Sequence, residues 1–161
     1  MKKIFYYGGV LLLTASLCAC AAKPTYKTEY AVGELANELC EELGNTRFLE
    51  SDASMLADYV DLSEFPNGTV RFSADGNNIS EFGIWQVPNH RAEELRALLK
   101  SYLESAYARN RSFYDSYIPE ETPKLKDAEV AVYGDYVAYA ILSPKDKELF
   151  FRELEEELRA D

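Results

Sequence analysis

The side chains in this sequence that could do chemistry are few: one histidine, His90, the cysteines Cys18, Cys20 and Cys40, and the acids Glu81, Asp115, Glu120 and Glu121, with Tyr114 and Tyr117 between them. A Ser-His-Asp or Cys-His arrangement would have to use His90, because nucleophilic catalysis needs a base within hydrogen-bond reach. There is no Gly-x-Ser-x-Gly elbow, and His90 directly precedes a long helical pattern, so it reads as a surface residue at a helix start. A zinc site would need several carboxylates at ligand spacing, which the chain lacks, and no metal is expected. Asp75-Gly76-Asn77-Asn78 fails as a calcium loop. Counted from Asp75, Ile79, Ser80 and Gln86 fall where an oxygen ligand, glycine and glutamate are required. No glycine-rich phosphate loop is present, and no cofactor is expected.

The acids leave two possibilities open. Glu81, Glu120 and Glu121 could converge into a carboxylate pair of the kind that hydrolyses glycosidic bonds, which requires two acids flanking one bond. Alternatively they are solvated loop acids. Tyr114 and Tyr117, read as lying in a loop, could line a groove for a sugar or peptide, since tyrosine joins an apolar body to a polar tip. Tyr102 has helical spacing and is expected in the core. The candidate ligand-binding residues are therefore Tyr114, Tyr117, Glu81 and Glu120, with no catalytic residue assigned.

The cysteine at position 20 points to a different chemistry. Met1-Lys2-Lys3 is followed by an uncharged run from Ile4 to Leu13, the pattern of a secretory signal. Leu17-Cys18-Ala19-Cys20 then resembles the lipobox of bacterial lipoproteins, in which the cysteine thiol receives a diacylglycerol and the chain is cut before it. The resemblance implies that residues 1–19 are a signal peptide, that Cys20 is the lipidated first residue, and that the protein is held on the outer face of the cell membrane. Two or more acyl chains give stable anchoring where one gives marginal binding. The competing reading is an uncleaved span, because Ile4 to Ala22 is 19 uncharged residues, though Gly8, Gly9, Thr14 and Ser16 dilute it. Cys40 would be the only thiol left, a small packed hydrophobe unable to form an internal disulfide.

Composition limits the partners. The 161 residues carry 28 acidic against 17 basic side chains, a formal charge of −11. Loss of Lys2 and Lys3 with a signal would leave 15 basic residues and −13. Nucleic acid and anionic lipid surfaces require a basic footprint, so neither is expected as a partner. An envelope protein or a wall fragment remains possible. Hydrophobic residues at 47% and aromatics at 13% supply a core for one domain.

The elements that must position these residues can be read from periodicity. Residues 20–29 read as a tether and 30–161 as a single domain. Tyr30 to Leu43 has an apolar stripe at helical spacing, ended by Gly44-Asn45. Ser51-Asp52 caps a short helix carrying Met55, Leu56 and Tyr59. Thr69 to Ser73 and Ile79 to Val87 form a hairpin, the second run apolar on both faces and so an inner strand. After Pro88, Asn89 caps the longest helix, with Leu95, Leu98, Leu99, Tyr102, Leu103 and Ala106 on one arc. Arg109 and Asn110 break that arc, so the helix frays there or uses them locally, and Tyr117 to Pro123 is a loop. Glu129 to Tyr133 and Tyr136 to Leu142 flank Gly134-Asp135, a two-residue hairpin signal. Pro144 opens a last helix with Leu149, Phe150, Leu154 and Leu158 inward. The order predicts an α+β fold, about four mainly antiparallel strands with helices on one face.

Three stretches carry a family resemblance: Ile79-Ser80-Glu81-Phe82-Gly83-Ile84-Trp85; Ser112-Phe113-Tyr114-Asp115-Ser116-Tyr117-Ile118-Pro119-Glu120-Glu121; and Tyr133-Gly134-Asp135-Tyr136-Val137. From about Ala31 onward they resemble the bacterial lipoprotein family catalogued as domain of unknown function 4358. The sequence departs from it at Ser80, where Asp is expected, and at Asp135, where Asn is common. The resemblance implies a lipid-anchored extracytoplasmic domain with no assigned activity. With no recognisable catalytic set, the expected role is a non-enzymatic binding or interaction module, and the alternative is an envelope hydrolase using a carboxylate pair.

Overall fold

The computed structural model describes residues 24–44 and 47–160; the expected signal peptide, Cys20 and Asn45 lie outside them. In chain order the elements are β1 (Thr25–Tyr26), α1 (Val32–Glu42), β2 (Phe48–Ser51), a 3₁₀ turn (Ala53–Leu56), β3 (Gly68–Ser73), β4 (Glu81–Gln86), α2 (Asn89–Tyr117), α3 (Thr122–Lys126), β5 (Glu129–Tyr133), β6 (Tyr136–Ile141), α4 (Pro144–Leu158) and β7 (Arg159–Ala160). The fold is α+β, with a five-stranded sheet in the order β2-β3-β4-β6-β5 and a two-stranded β1-β7 ladder, every pairing antiparallel. No helix among the described residues is long and apolar enough to cross a membrane.

Helices cover both faces of the sheet rather than one. The cause lies in β4 and β6, the inner pair, which are apolar on both sides and must be covered twice. Phe82, Ile84, Tyr136, Ala138 and Ala140 pack on Val32, Leu35, Ala36 and Leu39 of α1 and Phe150, Leu154 and Leu158 of α4. On the opposite face Val70, Trp85, Val137, Tyr139 and Ile141 meet Leu95, Leu99, Tyr102, Leu103 and Ala106 of α2.

The local chemistry explains several boundaries. Asp52 caps the 3₁₀ turn by accepting from the Ser54 amide, and Ser143 caps α4 by accepting from the Asp146 amide. Gly134 takes φ 61° at the first position of the β5–β6 turn, where a II′ turn places glycine. The longest helix does not fray at Asn110. It runs on through Tyr117, at about 1.5 Å per residue close to 43 Å, so Tyr114 is helical and not in a loop.

Of the expected tether, Thr25–Tyr26 is laid antiparallel on Arg159–Ala160. The Lys27 amide donates to the Leu158 carbonyl at 2.7 Å and its ammonium to the Glu157 carbonyl at 2.6 Å. Tyr26 packs over Gly134, where an added Cβ would approach it to 3.0 Å. This clasp sits at the Gln86–Tyr136 end of the β4–β6 pair. Glu81, opposite Ile141, is at the other end.

Candidate functional site

At that other end lies a cavity of about 190 Å³ between the first residue of β4, α2 and the loop after the 3₁₀ turn. Glu81, Tyr59, Tyr102, Asn110 and Tyr114 are its polar lining, with Met55, Ile79 and Leu125 among the apolar walls. Strand alternation sends Glu81, Gly83 and Trp85 toward α2. Tyr139 is directly opposite Gly83 in the ladder. Because Gly83 has no Cβ, Trp85 and Tyr139 can stack above it with ring centroids 5.9 Å apart. A Cβ there would come within 2.5 Å of Trp85 and 2.6 Å of Tyr139. This close approach lets the Tyr139 hydroxyl reach Glu81 Oε1, donating at 2.5 Å, while Tyr102 from α2 donates to the same oxygen at 2.6 Å.

Glu81 Oε2 receives no hydrogen bond from any described residue. Burial pushes the Glu81 carboxyl above the ordinary carboxylate range, and the two phenol bonds oppose that rise without cancelling it. Tyr139 and Tyr102 are both pushed up, first by burial and then by the adjacent Glu81 charge. Of the two residues that break the apolar arc of α2, Asn110 lines the cavity and Arg109 backs the Tyr59 ring from outside it. Asn110 donates from Nδ2 to the Tyr59 hydroxyl at 3.2 Å and to the Ala106 carbonyl at 3.0 Å. Arg109 donates to the Asp58 carbonyl at 2.8 Å and lies 4.7 Å from the Tyr59 ring centroid. Tyr59 in turn meets Tyr102 edge-on at 5.6 Å.

Of the sequence-nominated residues, Glu81 and Tyr114 come together in this cavity. Tyr117 does not line it. It is 73% exposed on the last turn of α2, its ring 4.8 Å from that of Phe113, which is 57% exposed. Glu120 is exposed and lines no part of the cavity. Glu121 is buried but engaged elsewhere: its Oε2 accepts from the Ile79 amide at 2.9 Å and from Lys124 at 2.7 Å. Lys124 also reaches Asn78 Oδ1 at 3.0 Å and Ser80 Oγ at 3.2 Å. This cluster ties α3 to the start of β4 and so fixes Glu81. It also gives position 80 a meaning, since an Asp there would meet the Lys124 ammonium. Tyr139, Tyr59 and Asn110 were not nominated as site residues, although Asn110 interrupting an apolar arc was a visible signal.

Cys40 lies apart, half-buried on the α1 face of the sheet, where burial pushes its thiol up and neighbouring Arg71 opposes the rise. Arg71, 3% exposed, donates to Asn37 Oδ1 at 3.0 Å and to Thr69 Oγ1, and pairs with the exposed Glu50 at 3.3 Å. His90 is exposed at the second residue of α2.

No curated protein and no solved structure matches the chain. A family model described as Domain of unknown function (DUF4358) matches residues 43–142, more than half of the sequence. That span runs from just after α1 to just past β6 and includes every described residue lining the cavity, whereas all of α1 and all of α4 fall outside it. The chain belongs to this family, the domain of unknown function DUF4358.

Proposed function

We propose that the protein is a lipid-anchored, extracytoplasmic binding module that holds a small ligand, or a small group on a larger one, in the Glu81 cavity. The observation that carries the binding role is a carboxyl with one oxygen fixed by two phenols and the other open toward a cavity walled by Tyr59, Tyr102 and Tyr114. Ligand sites are typically concave and mostly apolar with a few placed polar groups. Against hydrolysis by a carboxylate pair stands the lining itself: among the described residues Glu81 is its one acid, Glu120 is outside it, and Glu121 is held by Lys124. The location rests on Leu17-Cys18-Ala19-Cys20 after a basic, then apolar, start.

Two experiments test the two halves. In membranes of a bacterial host, palmitate label should appear on the protein, with an intact mass for a chain that begins at Cys20; Cys20→Ala should move it to the soluble fraction. An unmodified chain still beginning at Met1 refutes the location. For binding, calorimetric titration of the full chain with purified wall fragments should show saturable binding that Ala106→Leu, which fills the cavity, weakens at least tenfold. Binding unchanged by that substitution, or turnover of the fragment that Glu81→Gln abolishes, refutes the role.

A further inference from the structure

Resting on that binding role, we propose that the group received by the cavity is a primary alkylammonium, such as a lysine-type side chain or a free alkylamine. Its nitrogen would sit at Glu81 Oε2 and its carbon chain along Met55, Ile79 and Leu125.

The polar atoms available in the cavity set the sign of the ligand. Glu81 Oε1 already accepts from Tyr102 and Tyr139, and Oε2 is open among the described residues. The Asn110 amide nitrogen is engaged with Tyr59 and Ala106, leaving its carbonyl oxygen as a further acceptor. The Tyr59 and Tyr114 hydroxyls on the lining can donate or accept and so favour neither sign, whereas the carboxyl oxygen and the amide oxygen only accept when Glu81 is ionised and suit a donor-rich cation; an ammonium carries three donors and no acceptor. Among the described residues, no Lys, Arg or His lines the cavity. The two cations nearest in the fold are held elsewhere, Arg109 by the Asp58 carbonyl and the Tyr59 ring, and Lys124 by Glu121, Asn78 and Ser80.

A partly buried carboxylate without a cation carries a desolvation cost, and a bound ammonium is the partner that offsets it. The other titratable groups facing Glu81 are phenols: Tyr139 from β6, Tyr102 and Tyr114 from α2, and Tyr59 from the loop after the 3₁₀ turn. Tyrosine faces also attract a cation within about 6 Å. The apolar walls and the modest volume fit a short alkyl chain better than a sugar ring, whose hydroxyls would need partners all round.

The test is calorimetric titration of the full chain with three probes of one shape: n-pentylammonium, 1-pentanol and pentanoate. The expected result is that pentylammonium binds at least tenfold more tightly than pentanol and that pentanoate does not bind. Glu81→Gln should abolish the preference for the cation, and an unfolding midpoint no lower than that of the parent shows the fold intact. Tetramethylammonium, a cation without donors, should bind more weakly than pentylammonium. Comparing Nα-acetyl-lysine amide with pentylammonium identifies the source, a peptide side chain if the former is tighter and a free amine if the latter is. Equal affinity for pentanol, or a preference for the cation that survives in Glu81→Gln, overturns the ammonium assignment while wall-fragment binding that remains sensitive to Ala106→Leu preserves the binding role. If no probe binds and wall fragments ignore Ala106→Leu, both fall.

Discussion

Glu81 is a carboxylic acid drawn partly out of water and given two phenols but no cation, and its titration should report that. Because burial raises its ionisation in the folded chain above the ordinary value of 4.5, the folded state holds this proton more firmly than the unfolded state does. The resulting stabilisation is fully present below the ordinary glutamate range and is lost as pH rises through the folded value. Glu81→Gln should therefore be more stable than the parent near pH 8, with the difference closing on acidification to about pH 4, as measured by urea midpoints at the two pH values. Other carboxylates are common to both chains and cancel in the difference. Gly83 is the second residue on which the site turns. Gly83→Ala should cost about 1–3 kcal/mol, the usual range for overpacking, because the new methyl meets Trp85 and Tyr139. The emission of Trp85, the chain's one tryptophan, reports the displacement directly.

Elements were legible where apolar periodicity and turn chemistry agreed, and were missed where helices or strands are held by other means. Both hairpins and the inner position of β4 follow from alternation around Asp75-Gly76-Asn77-Asn78 and Gly134-Asp135. The last two turns of α2 do not follow, because Phe113 and Tyr117 face solvent and leave no inward stripe. Those turns are sustained by polar contacts at helical spacing: Arg111 pairs with Asp115 at 3.3 Å and Ser116 Oγ donates to the Ser112 carbonyl at 2.8 Å. β2 is four residues on a sheet edge with Leu49 exposed, too short and too open to alternate visibly. The site was half legible for a related reason. Glu81 and Tyr114 could be nominated by type, but Tyr139 enters only through its register opposite Gly83, a pairing between strands 56 positions apart in the chain. At this scale, Ser143→Ala should lower stability by about 1 kcal/mol through loss of the α4 cap, read as a fall in the thermal midpoint.

Across the whole molecule, β4 is apolar on both faces and requires two covering layers, so the single layer expected from the helical stripes would leave either Phe82 and Ile84 or Trp85 open to water. The layers divide unevenly: the α2 side carries the cavity and lies within the family match, while α1 and α4 close the other side. The clasp of β1 on β7 sits at the opposite end of β4 from Glu81. If the chain is anchored through Cys20, a spin label at Asp135→Cys should feel the bilayer more strongly than one at Glu120→Cys, both in a Cys40→Ala background. Removing residues 159–161 should speed trypsin cleavage after Lys27 at low protease levels while the Trp85 emission stays native, since β1 loses its ladder partner and is left on the Lys27 bonds to Glu157 and Leu158, while the five-stranded sheet is untouched. Mechanically, then, the molecule is gripped by a handle. If the chain is anchored through Cys20, a tug from upstream of Pro24 loads the two-residue ladder, the Lys27 bonds and the Thr28 carbonyl held by Gln86 at the near end of β4, while the Glu81 cavity sits at the far end of that strand.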